Sequence, residues 1–178
     1  MTEDDIMKAI YDLTAPEFSD ENLSAEFKAK LSKVVKLKER QNHLQKDIET
    51  LESYIKNCPI YGSTDPSVIT SFIDKKRELE LLKGWKNDLH TEEIGIAYEF
   101  YQICLKEWMD HEFKHVLKHA SILGTEIVIG KFVESKYDHY FNFLNDDGTI
   151  DRKSVKTMLS DFIKFIDYSI TNKKYPLD

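Results

Sequence analysis

Residues 23–58 read LSAEFKAKLSKVVKLKERQNHLQKDIETLESYIKNC, and residues 68–103 read VITSFIDKKRELELLKGWKNDLHTEEIGIAYEFYQI. Taken as heptads, the first run sets Leu23, Phe27, Lys30, Val34, Leu37, Gln41, Leu44, Ile48, Leu51, Ile55 and Cys58 on one line, nine of the eleven apolar. The second sets Val68, Phe72, Lys75, Leu79, Leu82, Lys86, Leu89, Glu93, Ile96, Phe100 and Ile103 on another, eight of the eleven apolar. Steps of three and four residues, alternating along a whole run, keep apolar side chains on one seam of a helix that supercoils with a neighbour. Polar residues at Gln41, Lys75, Lys86 and Glu93 suit the fixing of register between two such seams. Between the runs lies NCPIYGSTD, residues 57–65. Pro59 and Gly62 break a helix there, and Asp65 before Pro66 is a cap followed by proline at the first helical position. The expected element is a long antiparallel coiled-coil helical hairpin with its tip at 57–65.

Beyond residue 93 the pattern changes. Ile94, Ile96, Tyr98, Phe100, Tyr101, Ile103, Leu105, Trp108 and Met109 surround the helix instead of lining one stripe, which marks a buried helix. The chain outside the hairpin has to enclose it. Residues 2–13 read as a short helix with Thr2 as its cap, ended by Ala15-Pro16. Glu126 to Leu144 reads as a further helix, Asn145-Asp146-Asp147-Gly148 as a turn, and Val155, Leu159, Phe162 and Ile166 as the buried line of an amphipathic helix. The fold expected is all-α: a hairpin arm at 28–93 packed on a small helical bundle head built from 1–27 and 94–178.

Composition sets bounds. Charged residues make up 32% of the chain and apolar ones 41%, the balance that long, half-solvated helices produce. A formal net charge of −7 argues against a dedicated duplex-DNA binder, which presents a strongly basic face. The start, MTEDDIMKAI, is acidic and lacks the cationic segment and apolar run of a secretory signal. No stretch approaches the roughly 20 apolar residues of a membrane span. The two cysteines, Cys58 and Cys104, fall at opposite ends of an arm about 54 Å long at the rise of an α-helix, too far apart to bridge. Free thiols, a reducing compartment and a cytoplasmic location are expected, with both cysteines serving as small buried hydrophobes.

Charge is polarised along the chain. Residues 1–26 hold eight acids and one lysine; residues 27–46 hold seven bases and one acid. The basic run, with Lys33, Lys36 and Arg40 at its centre, is either a solvated face balancing nearby acids or a contact patch for an acidic partner or a nucleic-acid backbone. No aromatic residue is interleaved with the lysines, which weakens a base-stacking role. At the tip, Ile60 and Tyr61 either dock a partner or fold back on the helix ends.

The sharpest chemical motif is His111-Glu112-Phe113-Lys114-His115, an H-E-x-x-H. On a helix, His111 and His115 face the same way and can share a zinc ion while Glu112 acts as base toward its bound water. Against this, Lys114 puts a cation between the ligands, and Glu126, Glu134 and His139 are equally plausible third ligands without diagnostic spacing. The plainer reading puts His111, His115 and His119 at a helix flank, solvated or bonded to nearby acids. Glu112-x-x-His115 has no second Glu-x-x-His to complete a di-iron bundle. The Asn145–Asp151 stretch fails as a calcium loop because Phe143 and Ser154 stand where carboxylates are needed. No cofactor and no catalytic residue follow from these motifs.

The function these features imply is a non-enzymatic protein–protein interaction module: an adaptor, an assembly or scaffold factor, or an inhibitor. A phage or mobile-element origin would suit such a role. It would act through the hairpin on another protein or on a second copy of itself, as a possible homodimer. Two alternatives are an accessory factor for nucleic-acid transactions using residues 28–46 and a zinc metallohydrolase using His111, Glu112 and His115.

Overall fold

The structure of the chain is a computed structural model that describes residues 2–3, 5–6, 21, 23–60, 62, 64–108 and 124–172. Its α-helices are α1 (Ala25–Asn57), α2 (Pro66–Trp108), α3 (Thr125–Ser135) and α4 (Arg152–Asn172), with a 3-10 turn at Tyr137–His139. Among the described residues there is no strand, only an isolated bridge between Leu144 and Ile150. The all-α class and the two long paired helices expected from the seams are what the structure has. No described helix is long and apolar enough to cross a membrane.

The helix starts follow from local polar groups. Thr2 and Asp5 cap each other reciprocally, Asp5 N–H donating to Thr2 Oγ1 at 3.1 Å and Thr2 N to Asp5 Oδ2 at 2.9 Å. Ser24 Oγ accepts from Phe27 N–H at 3.1 Å and opens α1. Asp65 Oδ1 accepts from both the N–H and the hydroxyl of Ser67, each at 2.9 Å, so α2 begins at Pro66. The same two bonds hold the Asp65 carboxyl below the usual carboxylate range, the backbone bond contributing most. Asp151 opens α4, accepting from Lys153 N–H at 3.1 Å and from Ser154 Oγ at 2.9 Å. Gly148, at φ +83°, closes the turn before it in the left-handed region that glycine adopts without steric cost. Its N–H donates to Asn145 O at 3.0 Å, and Asn145 N–H to Thr149 O at 2.9 Å.

The chain divides into two compact units. One is Lys33–Glu93, the other Met1–Ser32 with Ile94–Asp178. In the first, α1 and α2 run antiparallel, since each step forward on one is matched by a step back on the other. Lys33 pairs with Glu92, Gln45 with Lys86 at 2.7 Å, Glu52 with Lys83 at 3.7 Å and Tyr54 with Ser71 at 3.0 Å. Ile48, Leu51 and Leu79 form a buried cluster flanked by Ile55 and Leu82. Every position of both seams is buried or half-buried.

The second unit has an aromatic centre. Phe100, Tyr101, Phe132, Tyr140, Phe141, Phe143 and Phe162 are all fully buried. Tyr101, Phe132 and Phe162 meet in a three-ring cluster with centroids 4.9–5.2 Å apart. Phe100 lies against Phe143 at 4.8 Å and stacks on Phe27 at 6.3 Å. The one hydroxyl in the three-ring cluster is satisfied, Tyr101 donating to Tyr140 O at 3.3 Å. On α4 the buried line is Val155, Leu159, Phe162 and Ile166, joined by Met158 and Ile163.

Two local expectations change. The helix expected from Glu126 to Leu144 stops at Ser135, because Tyr137 sits at φ +51° and turns the chain out of the helix. Ile94, expected within an all-round apolar face, is an exposed residue beside the buried Glu93 and Ile96. Met109 lies outside the described residues.

The two cysteines are both free. Cys104 is buried, and burial pushes its thiol well above the ordinary range, while Cys58 is half-buried at the end of α1. Because only the thiolate reacts, a disulfide reagent at neutral pH should modify Cys58 in the native chain and reach Cys104 only on unfolding. One fast and one denaturant-dependent equivalent of released chromophore is the expected result; two fast equivalents would mean that Cys104 is not enclosed.

Candidate interaction surface

Three of the seven bases in the basic run of α1 pair within the molecule. Lys30 Nζ pairs with Glu99 at 2.9 Å, Lys33 with Glu92, and Lys38 approaches Glu93 at 3.9 Å. The side-chain bond to Glu99 raises the Lys30 ammonium above its usual range. Among the described residues Lys28, Lys36, Arg40 and Lys46 form no ion pair and are exposed. Exposed pairs such as Lys30–Glu99 and Lys33–Glu92 add little to stability, so their main effect is to fix which residues of α1 face which residues of α2.

One polar group on the seam is buried. Glu93 is 3% exposed, and Gln41 Nε2 donates to its Oε2 at 2.6 Å while Lys38 lies near Oε1. Lys86 reaches Gln45 one level further on. Lys75, another polar seam residue, pairs within its own helix to Glu78 at 3.3 Å.

At the tip, Ile60 is half-buried and its N–H donates to Cys58 O at 2.9 Å. Tyr61 lies outside the described residues, as do His111, Glu112 and His115, so the H-E-x-x-H has no geometry here. Of the three candidate third ligands, Glu126 and His139 are exposed and Glu134 pairs with Lys131 at 3.3 Å. Among the described residues no group of three His, Cys, Asp or Glu side chains converges as a metal site. An open cleft in the second unit is lined by Lys136, His139, Ser154 and Asp161. Three of these groups are engaged structurally: Lys136 pairs with Asp161 at 3.1 Å and lies over the Phe132 ring, and Ser154 Oγ donates to Asp151, the residue that caps α4.

The surface that sequence reasoning missed lies on α2. Ile69, Ile73, Leu81 and Trp85 are 38%, 44%, 56% and 53% exposed. With Arg77 they form an unbroken row at every fourth residue, a ridge on the helix surface. At 3.6 residues per turn the row drifts about 40° around the helix at each step, so it winds across the outer side of α2 from Ile69 at one flank of the seam to Trp85 at the other. A shallow groove alongside is lined by Lys76, Glu80, Gly84 and Asp88. The signal was present in the sequence as a second four-residue repeat on a helix already supplied with a buried stripe.

No protein-family model, curated protein or solved structure matches the chain.

Proposed function

We propose that the chain is a non-enzymatic protein-interaction module that presents its helical hairpin, residues 33–93, to a partner chain. The observation that carries this reading is the exposed ridge of α2. Scattered exposed apolar residues are ordinary, but large ones concentrated on the outer side of one helix are features by which helices dock on other proteins. Adaptor, assembly-factor and inhibitor roles all reduce to this one physical act. The basic run supports the reading indirectly. Three of its seven bases are engaged with Glu92, Glu93 and Glu99, which leaves less positive charge for a phosphate backbone.

The test is a photo-crosslinking amino acid placed at Leu81, in the chain expressed in its source cell. Covalent adducts, to itself or to another protein, are the expected result. The same group at Glu49, an exposed polar position on α1, should give several-fold fewer. Absence of adducts at Leu81, with the protein folded and abundant, would remove the interaction reading.

A further inference from the structure

Six glycines occur in the chain, and only Gly148 follows an aspartate or asparagine. An aspartate before glycine is the pair at which a chain most readily attacks itself, because glycine has no side chain to shield its nitrogen. The Gly148 nitrogen gives up its proton and bonds to Cγ of Asp147, and a carboxyl oxygen leaves as water. The product is a succinimide ring. Water then opens the ring at either carbonyl. Opening at Cγ restores aspartate. Opening at the main-chain carbonyl leaves the chain running through Cγ, an isoaspartate with an extra carbon in the backbone. The water lost is the water returned, so no other reactant is needed.

Packing does not guard this pair. Asp147 and Thr149 are exposed, and a Cβ built on Gly148 would meet nothing within 4 Å. Hydrogen bonds hold both reacting groups instead. Asp147 Oδ1 accepts from Thr149 N–H at 2.9 Å and from Thr149 Oγ1 at 2.5 Å, the closure of an Asx turn. The nucleophile is held as well, since Gly148 N–H donates to Asn145 O at 3.0 Å. Asn145 fastens Thr149 in turn, its side-chain amide donating to Thr149 Oγ1 at 2.9 Å and its N–H to Thr149 O at 2.9 Å. The Thr149 hydroxyl, with the Thr149 N–H second, keeps the Asp147 carboxyl below the usual carboxylate range. An ionised carboxylate cannot release water to the attacking nitrogen. The bonds that fix the turn therefore also keep the carboxyl in its unreactive form.

We infer that Asp147-Gly148 is the site at which this chain converts to isoaspartate, and that the Thr149 side chain keeps the folded chain from doing so by holding the Asp147 carboxylate. The consequence reaches α4. The extra main-chain carbon would fall between Leu144 and Ile150, the bridged pair, and just before Asp151, which opens α4 and whose N–H donates to Phe143 O at 2.9 Å. This holds whether or not the hairpin docks a partner.

The test is peptide mapping of the purified full-length chain held for weeks at neutral pH, with isoaspartate at residue 147 read by enzymatic methylation and electron-transfer fragmentation. The folded wild type is expected to convert several-fold more slowly than the same chain in concentrated urea, where the bonds of the turn are gone. Thr149→Val removes the hydroxyl at nearly constant size and should convert several-fold faster than the folded wild type. Thr149→Ser keeps the hydroxyl and should stay slow. Far-ultraviolet circular dichroism should show both variants folded, since the position is exposed. If Thr149→Val does not fold, the urea comparison and Thr149→Ser still decide. A folded wild type as fast as the unfolded chain would overturn the proposal. So would Thr149→Val as slow as the wild type, or a folded Thr149→Ser as fast as the unfolded chain. Isoaspartate that gathers in urea at other residues and not at 147 would show that the site is misassigned.

Discussion

Phe132→Ala lowers the unfolding free energy by about 3–5 kcal/mol, the range for removing a large aromatic side chain from a core that relaxes only in part. Phe132 is fully buried, and its ring meets Tyr101 edge-on at 5.0 Å, Phe162 at 4.9 Å and Phe165 at 5.5 Å. It therefore links α2, α3 and α4 through direct ring contacts. The loss has two parts: the apolar area returned to water, and a cavity that three rigid rings cannot close. Phe132→Leu keeps most of the volume and should cost about 1–1.5 kcal/mol. Urea unfolding followed by near-ultraviolet circular dichroism reports the packing of the tyrosines that adjoin the site. Equal midpoints for the two variants would mean that the volume Leu retains recovers nothing and that the ring's shape is what the cluster requires.

Glu93→Ala is the second large effect, expected at about 2–3 kcal/mol of destabilisation. The carboxylate is almost fully enclosed on the seam and accepts from Gln41. Removing it leaves the Gln41 amide without that acceptor in a half-buried place and leaves the Lys38 cation without its neighbour. The double variant Gln41→Leu/Glu93→Leu should recover most of the loss, because replacing both members of a buried polar pair by apolar groups is close to neutral. Thermal melts of the single and double variants separate the two terms. A single variant within about 0.5 kcal/mol of the wild type would mean that the carboxylate is solvated and not held. The double variant should also tolerate slippage between the helices, since the pair that marks register is gone.

The seams were legible because a helix that buries one stripe must repeat its apolar residues at the helical period. All of Leu23 to Cys58 and Val68 to Ile103 on the two lines are at least half-buried. Leu31 and Ala97 are buried as well, and neither is on a seam. Their burial depends on packing within the second unit, which periodicity does not describe. The end of α3 was hidden because a tyrosine, not a glycine or proline, takes the left-handed turn at Tyr137. The basic run was visible as a charge block, but its partners Glu92, Glu93 and Glu99 lie more than fifty residues away, and only the pairing of the helices brings them together. The ridge was hidden for a different reason. An apolar repeat states that a face avoids water and says nothing of whether the same chain or another supplies the cover. The part of the candidate chemistry that was most explicit in the sequence, His111 to His115, falls outside the described residues.

The two units differ in how thickly they are filled, and this sets where the chain opens first. Between residues 33 and 93 the buried apolar residues among those described are Val34, Leu37, Ile48, Leu51 and Leu79, a single layer of small aliphatic side chains bordered by exposed ion pairs. The other unit buries seven large rings and aliphatic residues. Openings that expose little apolar area cost little free energy. The hairpin is therefore the portion that can part and close again while the aromatic centre stays intact. Anything that grips α2 across its outer face would slow that breathing, so occupancy of the ridge and rigidity of the hairpin rise together.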